Sequence, residues 1–286
     1  MLLITTKKEL IEQVEICKSE GKSIGLVPTM GALHAGHASL VRRSVADNDI
    51  TVVSVFVNPT QFNNKEDLAK YPRNLERDAE LLSSLGVDYV FAPTPEDMYD
   101  AEEMSKPFEF DFGGLDKVME GKMRPGHFNG VVQVVSKLFY LVRPDRAYFG
   151  EKDFQQLAII RYMVYRSALK DTFGCLEIIG CPIVREASGL AMSSRNERLS
   201  DEEKRTAVNI SRVLFESQAW AKDNNATVAA VEKRVVKEVN AISGLEVEYY
   251  EIVDADTLLP TQSFVNAVGC ITVYCGPVRL IDNIRY

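Results

Sequence analysis

The chain has 286 residues, which at roughly 150 residues per domain predicts about two domains. Hydrophobic residues make up 46% and charged residues 26%, a balance that gives each half enough apolar side chain for a core and excludes both a small stapled scaffold and a disordered chain. A count of 33 Lys and Arg against 41 Asp and Glu leaves a net charge of −8, which argues against a broad footprint on nucleic acid, so any positive site for an anionic substrate must be local. Five cysteines, Cys17, Cys175, Cys181, Cys270 and Cys275, form an odd set without a CxxC pair, as expected of reduced thiols in a cytosol. No apolar run approaches the ~18 residues of a membrane span, and the N-terminal MLLITTKKEL carries no leader pattern. The expectation is a mature, cytoplasmic protein that engages neither nucleic acid nor membrane.

In chain order, residues 7–20 carry Leu10, Ile11 and Val14 at helical spacing, with Gly21 where a helix end favours positive φ. An apolar strand at 23–27 stops at Pro28, and PTMGALHAGH then turns into a helix over 37–47. The cycle repeats with a strand at 51–57, a helix at 74–85 and a strand at 88–92. A helix at 131–141, a short strand at 147–149 and a helix at 154–168 follow. Strands alternating with helices predict the α/β class, a doubly wound parallel sheet with helices on both faces.

The alternation breaks after the strand-like run 176–186. Helices at 201–222 and 227–243 precede strands at 245–254, 271–275 and 279–281, which predicts a smaller C-terminal α+β domain with its boundary near 181–188. We place the domains at 1–182 and 183–286, and a chain cut near residue 187 is expected to keep the first one folded. DEEKR at 201–205 reads as the solvated first turn of a helix capped by Ser200. If the C-terminal cysteines share a strand, the offset of five puts Cys270 and Cys275 on opposite faces.

His34 and His37, two of three histidines, sit together in HAGH at a strand-to-helix turn. That position lies at the carboxyl end of a strand in an open parallel sheet, where ligands bind. A helix N-terminus with imidazole N–H groups suits phosphate oxygens. A zinc site needs four ligands, and neither cysteines nor an HExxH pattern lie nearby, so no protein-bound metal is expected there.

PTMGALHAGH resembles the HxGH signature of the nucleotidyltransferases, which include the class I aminoacyl-tRNA synthetases. With FVNPTQF (56–62), YPR (71–73), RPGHFNG (124–130), FGEKDFQQ (149–156), GLAMSSRNERL (189–199) and the closing RLIDNIRY, the chain resembles the pantoate–β-alanine ligases over nearly its whole length. The resemblance implies a Rossmann-like N-terminal domain, a cytoplasmic homodimer built through it, and a two-step reaction with ATP and Mg²⁺. ATP adenylates (R)-pantoate with release of pyrophosphate, and β-alanine then displaces AMP to give pantothenate.

By the same resemblance, Met30, Gly31, Ala32, Leu33, His34, Ala35, Gly36 and His37 line the ATP site. His34 and His37 act on the phosphates, with His37 at the family's proton-donor position. Gly150, Glu151, Lys152 and Asp153 form a second ATP segment, in which Lys152 serves as a point charge on phosphate. Val184 lies near the adenine, and Met192, Ser193, Ser194 and Arg195 approach the triphosphate from the smaller domain as a shortened relative of the KMSKS loop. The residues implied in catalysis are His37, His34, Lys152 and Arg195. Gln61 and Gln156 match the pantoate-binding glutamines, and Gln61 also faces β-alanine. The dimethyl group of pantoate asks for an apolar wall, for which Pro28, Met30, Phe56 and Val134 or Val135 are candidates, while Arg124 and His127 support the pantoate side. Two readings compete: an adenylyltransferase that moves AMP onto a phosphate, which would make a dinucleotide and no free AMP, and a nucleotide-binding sensor without turnover. A tRNA-synthetase relative lacks the basic region it would need.

Overall fold

A computed structural model of the chain describes residues 1–63, 65–106 and 108–286. Six strands, β1 (Leu2–Ile4), β2 (Ile24–Thr29), β3 (Ile50–Val55), β4 (Tyr89–Phe91), β5 (Arg146–Gly150) and β6 (Glu177–Cys181), form one sheet in the order β1-β4-β3-β2-β5-β6. Every neighbouring pair is parallel. Alternate residues feed two cores: Leu26, Val52, Phe91 and Phe149 pack on one face, and Val27, Val53, Val90 and Tyr148 on the other. Burial on both faces explains why these strands read as continuous apolar runs. From β2 the chain winds outward through β3 and β4, then crosses back to β5 and β6. The order reverses between β2 and β5, so the crevice beyond their carboxyl ends is the favoured place for a ligand.

Beyond β6 the chain builds a three-stranded antiparallel sheet from β7 (Leu245–Asp254), β8 (Ala267–Cys275) and β9 (Val278–Arg285). Helices Asp201–Asp223 and Val228–Asn240 cover it, packing Ile210, Leu214, Val231 and Val235 against Ile271 and Val273. Ser200 and Glu203 make a reciprocal capping box, so DEEKR is indeed the first turn of that helix. Cys270 and Cys275 point to opposite faces, Cys270 joining the core of the parallel sheet and Cys275 that of the antiparallel one.

Cys270 is accompanied by Val253, Leu258 and Val268, which also pack into the first core. A cut near residue 187 would strip these four side chains from it, so independent folding of the N-terminal part does not follow from where its strand–helix units end. All five cysteines are free thiols, and among the described residues no helix is long and apolar enough to cross a membrane.

Several boundaries differ from the sequence expectation. β1 is a short edge strand whose first two residues are exposed, so it carries no strong apolar signal. The helix expected at 131–141 spans His127–Val142, because Gly126 at φ 82° supplies the turn that starts it. The run 176–186 is a strand only to Cys181; Pro182 follows, and a single antiparallel bridge, Arg185 with Ala191, carries the chain back. β8 and β9 are longer than the expected 271–275 and 279–281.

Candidate active site

The turn after β2 is held by its own side chains. His34 is the N-cap of helix Ala35–Asp47, and its Nδ1 accepts from the Gly36 N–H at 3.1 Å while the Nδ1 of His37 accepts from the His34 N–H at 3.3 Å. With both Nδ1 atoms accepting, each neutral ring carries its proton on Nε2. The rings lie 4.1 Å apart between centroids. A Cβ at position 36 would stand 2.8 Å from the His34 ring, so glycine is the residue that lets this pair form. Burial, then the Lys152 charge, lowers His34 to about 4. Burial, then the neighbouring His34 and Lys152, lowers His37 to about 3. At neutral pH the free protein therefore offers two neutral N–H donors beside a helix N-terminus, not imidazolium ions.

β5 delivers the second segment. Lys152 is largely buried and sits 3.7 Å from the Asp153 carboxylate. The Glu151 and Lys152 carbonyls accept from the Asn283 amide at 2.9 and 3.0 Å, so β9 fixes the turn that carries the lysine. Asp282 beside it takes a bidentate pair from Arg185 at 2.6 and 2.8 Å. The Glu151 side chain turns toward Arg285, 3.6 Å away.

Gln61 is buried in a short 3₁₀ turn, Pro59–Gln61, capped by Asn58. Asn58 donates to Gln61 Oε1 at 3.2 Å and to the Gly130 carbonyl at 3.0 Å, while its own Oδ1 accepts from Tyr99 at 2.8 Å. His127 donates through Nδ1 to the Gln61 carbonyl at 2.8 Å, which leaves Nε2 to accept from Arg124 at 3.2 Å. Arg124 and His127 thus support Gln61 from behind. Burial and the Arg124 charge lower His127 to about 4, which keeps this chain of bonds intact at neutral pH.

The last segment arrives from across the crevice. Ser194 donates to the Ala32 carbonyl at 3.1 Å. Ser193 caps the short helix Ser194–Arg198. Asp67, on helix Lys65–Lys70, takes Arg195 at 3.3 Å and Arg198 at 2.9 Å.

A cleft of about 210 Å³ lies between these segments. Met30, His34, Gly36, His37, Gln61, Gly150, Lys152, Asp153, Gln156, Val184, Met192, Ser193, Ser194 and Arg195 line it, and Pro28, Phe56, Val134 and Val135 add the apolar wall. Five predicted residues do not line it: Gly31, Ala32, Leu33, Ala35 and Glu151. Gly31 and Leu33 belong to the far side of the turn, Leu33 in the second core. Ala32 meets the cleft segment through its carbonyl alone. A second chamber of about 480 Å³ adjoins through the shared Lys152, Asp153, Gln156 and Arg195, and there Arg124 and His127 are part of the wall.

Sequence reasoning passed over Asn58, Asp67, Tyr71 and Asn283. FVNPTQF held a signal for Asn58, since Asn before Pro is a turn cap; Asn283 had none, because its partners lie 132 and 131 residues away. Among the described residues no group of three or more His, Cys, Asp or Glu could hold a metal ion.

The family model for pantoate-beta-alanine ligase matches residues 2–285. The chain belongs to the pantoate–β-alanine ligase family. Within that family, the pantothenate synthetase of Phocaeicola vulgatus is 58% identical, covering 100% of this chain and 99% of its own. That of Porphyromonas gingivalis is 52% identical with the same coverage. The crystal structure of pantothenate synthetase from Thermus thermophilus superposes with a TM-score of 0.90 at 41% identity, covering 100% of this chain and 99% of that one. The ligase from Francisella tularensis, crystallised with beta-gamma ATP and beta-alanine, gives 0.81 at 34% identity over 100% of this chain and 97% of its own. The family's sheet-plus-small-sheet architecture is therefore the one described above.

Proposed function

We propose that the cleft binds ATP and (R)-pantoate together, forms pantoyl adenylate, and passes it to β-alanine. The reaction is the ATP-dependent ligation of pantoate with β-alanine to pantothenate, AMP and pyrophosphate. A pantoate carboxylate oxygen attacks the α-phosphorus and the bond to the pyrophosphate oxygen breaks. The β-alanine amine then attacks the acyl carbon, losing a proton as AMP leaves.

The observation that carries this reading is the pair of neutral imidazoles, each protonated on Nε2, at a helix start facing Lys152 and Arg195 across one cleft. Adenylation gathers negative charge on the α- and β-phosphates, and preorganised donors there lower the barrier. His34 and His37 supply N–H groups, Lys152 and Arg195 supply charge, and Ser193 and Ser194 supply hydroxyls. Bound polyphosphate raises the basicity of His37, so this ring takes the family's proton-donor role only once ATP is present. Met30, Gly36, Gly150, Val184 and Met192 shape the nucleotide side. Gln61, held by Asn58 and His127, and Gln156 bind pantoate without adding a charge that would over-stabilise its ground state.

Mg²⁺ fits as a partner of the triphosphate rather than as a resident ion, since Asp153 is the one carboxylate among the described residues lining the cleft, and Mg²⁺ commonly takes one or two carboxylates plus substrate phosphates. When bound it neutralises phosphate charge. Units 1–182 and 183–286 act as base and lid, the assembly is a homodimer through the larger unit, and the compartment is the cytoplasm. The family resemblance supports all three, and a sedimentation measurement tests the dimer.

Pantoate should drive exchange of labelled pyrophosphate into ATP with β-alanine absent, and adding β-alanine should release AMP. Release of ADP would mean an acyl-phosphate route and sink the adenylate reading.

A further inference from the structure

Asp78 belongs to helix Leu75–Ser84, is 2% exposed, and lies five residues beyond the YPR motif. One of its carboxylate oxygens accepts from the Ala32 N–H at 2.9 Å and the other from the Leu33 N–H at 2.8 Å. These amides need such a partner, because Gly31 and Ala32 occupy the left-handed region at φ 80° and 50°, and such a turn gives up the hydrogen bonds of strand and helix alike. A Cβ at Gly31 would stand 2.9 Å from the same carboxylate, so the turn rests directly on Asp78. On its other side the Ala32 carbonyl accepts from Ser194. Asp78 itself is not among the residues lining the cleft; it faces a separate cavity behind the turn, with Arg73 and Asn74.

We infer that Asp78 is a positioning residue. Its two oxygens fix the Ala32 and Leu33 peptides, these set the direction in which the chain enters helix Ala35–Asp47, and that direction places the Nε2–H groups of His34 and His37 and the carbonyl that receives Ser194. The assignment rests on the adenylation reading above. A carboxylate suits the position because it presents acceptors only; asparagine would turn an NH₂ group toward one of the two amides.

The test compares Asp78→Asn, Asp78→Ala and Asp78→Glu in the full-length chain, by pantoate-dependent ATP–pyrophosphate exchange, with thermal midpoints recorded alongside. Exchange by the unchanged protein checks the adenylation reading by itself, so its absence there would count against that reading and not specifically against Asp78. Given normal exchange, Asp78→Asn should lower kcat about 30-fold and raise the KM for ATP several-fold, leaving the KM for pantoate within about 2-fold. Asp78→Glu, which restores two acceptors, should recover part of that loss. Combined with His37→Ala, Asp78→Asn should cost clearly less than its about 30-fold effect alone, because part of that effect passes through His37 and only the share carried by His34 and the Ala32 carbonyl remains. Equal damage to both KM values, multiplicative loss in the double variant, or Asp78→Glu no better than Asp78→Ala would each overturn the assignment. If Asp78→Asn does not fold, Asp78→Glu with its ATP-to-pantoate KM ratio decides between the same outcomes.

Discussion

The wall of the cleft that follows β2 is held by backbone hydrogen bonds in a buried setting, whereas the wall formed by residues 192–198 is held largely by side chains near the surface. On the first wall, imidazole nitrogens cap the helix and Asp78 takes two successive amides. On the second, Arg195 and Arg198 share Asp67, each of the three side chains retaining about 30% of its accessible surface or slightly less. Ion pairs at that exposure are worth about 0–1 kcal/mol, while stripping partners from a buried amide costs roughly 1–3 kcal/mol. A triphosphate can therefore draw Arg195 away from Asp67 cheaply, but it cannot rearrange the HAGH turn. On the proposed reading, one wall is preformed and the other is free to exchange partners.

The preformed wall should be the more sensitive to truncation. His37→Ala is expected to lower kcat for adenylation by ~10²–10³, the size of losing one preorganised donor, with a smaller change in ATP affinity; His34→Ala should do comparable damage and also unseat the cap on Gly36. Near-normal exchange rates in both variants would reduce the HAGH segment to a structural turn and erase the contrast.

On the exchanging wall the expected effects are smaller and can be separated. Arg195→Ala should slow adenylation by roughly 10–10² and raise the KM for ATP, the effect expected of removing the charge proposed to stabilise the transition state. Asp67→Ala should change little, within about 3-fold, because it removes only a competitor for the arginines at an exposed pair. Loss in Asp67→Ala as large as in Arg195→Ala would mean that the ion pair is itself part of the working geometry.

How far each wall was legible in the sequence follows from the same difference. The HAGH turn announces itself because glycine, a β-strand end and a helix start are local signals, whereas alternating units give a parallel sheet but not its strand order, so the β2-to-β5 reversal came only with the structure. The sequence also carried MSSRN, but not its counter-ion, since Asp67 is 128 residues from Arg195. Likewise Asn283 reaches the Lys152 carbonyl across 131 residues, and no periodicity encodes such a contact. Three residues of the antiparallel sheet, with Leu258 from the β7–β8 connection, complete the core of the parallel one; for the same reason, the sequence made the two halves look more independent than they are. Only the tertiary fold brings these partners together.

The smallest expected effect is on pH, and it probes the buried setting directly. All three histidines have depressed basicity, His34 and His127 to about 4 and His37 to about 3, chiefly through burial. An unfolded chain protonates its histidines near 6.5. Between that value and about 4 the unfolded state binds protons that the folded state refuses, so stability should fall as pH falls through this window. Glu120 adds a later loss. Burial alone would raise it, but Arg279 hydrogen bonds and charge outweigh burial and hold it at about 2, so its contribution fades only below the ordinary carboxylate range. In the ligand-free protein, the imidazole C–H resonances should not titrate between about pH 5.5 and 7.5. Urea midpoints should decline from pH 7 to 5, and the slope should shrink by about a third in His37→Ala, which removes one of three proton-linked groups. A histidine titrating near 6.5 would place its ring in water, and if that ring were His34 or His37, the wall after β2 would be as exchangeable as the one facing it.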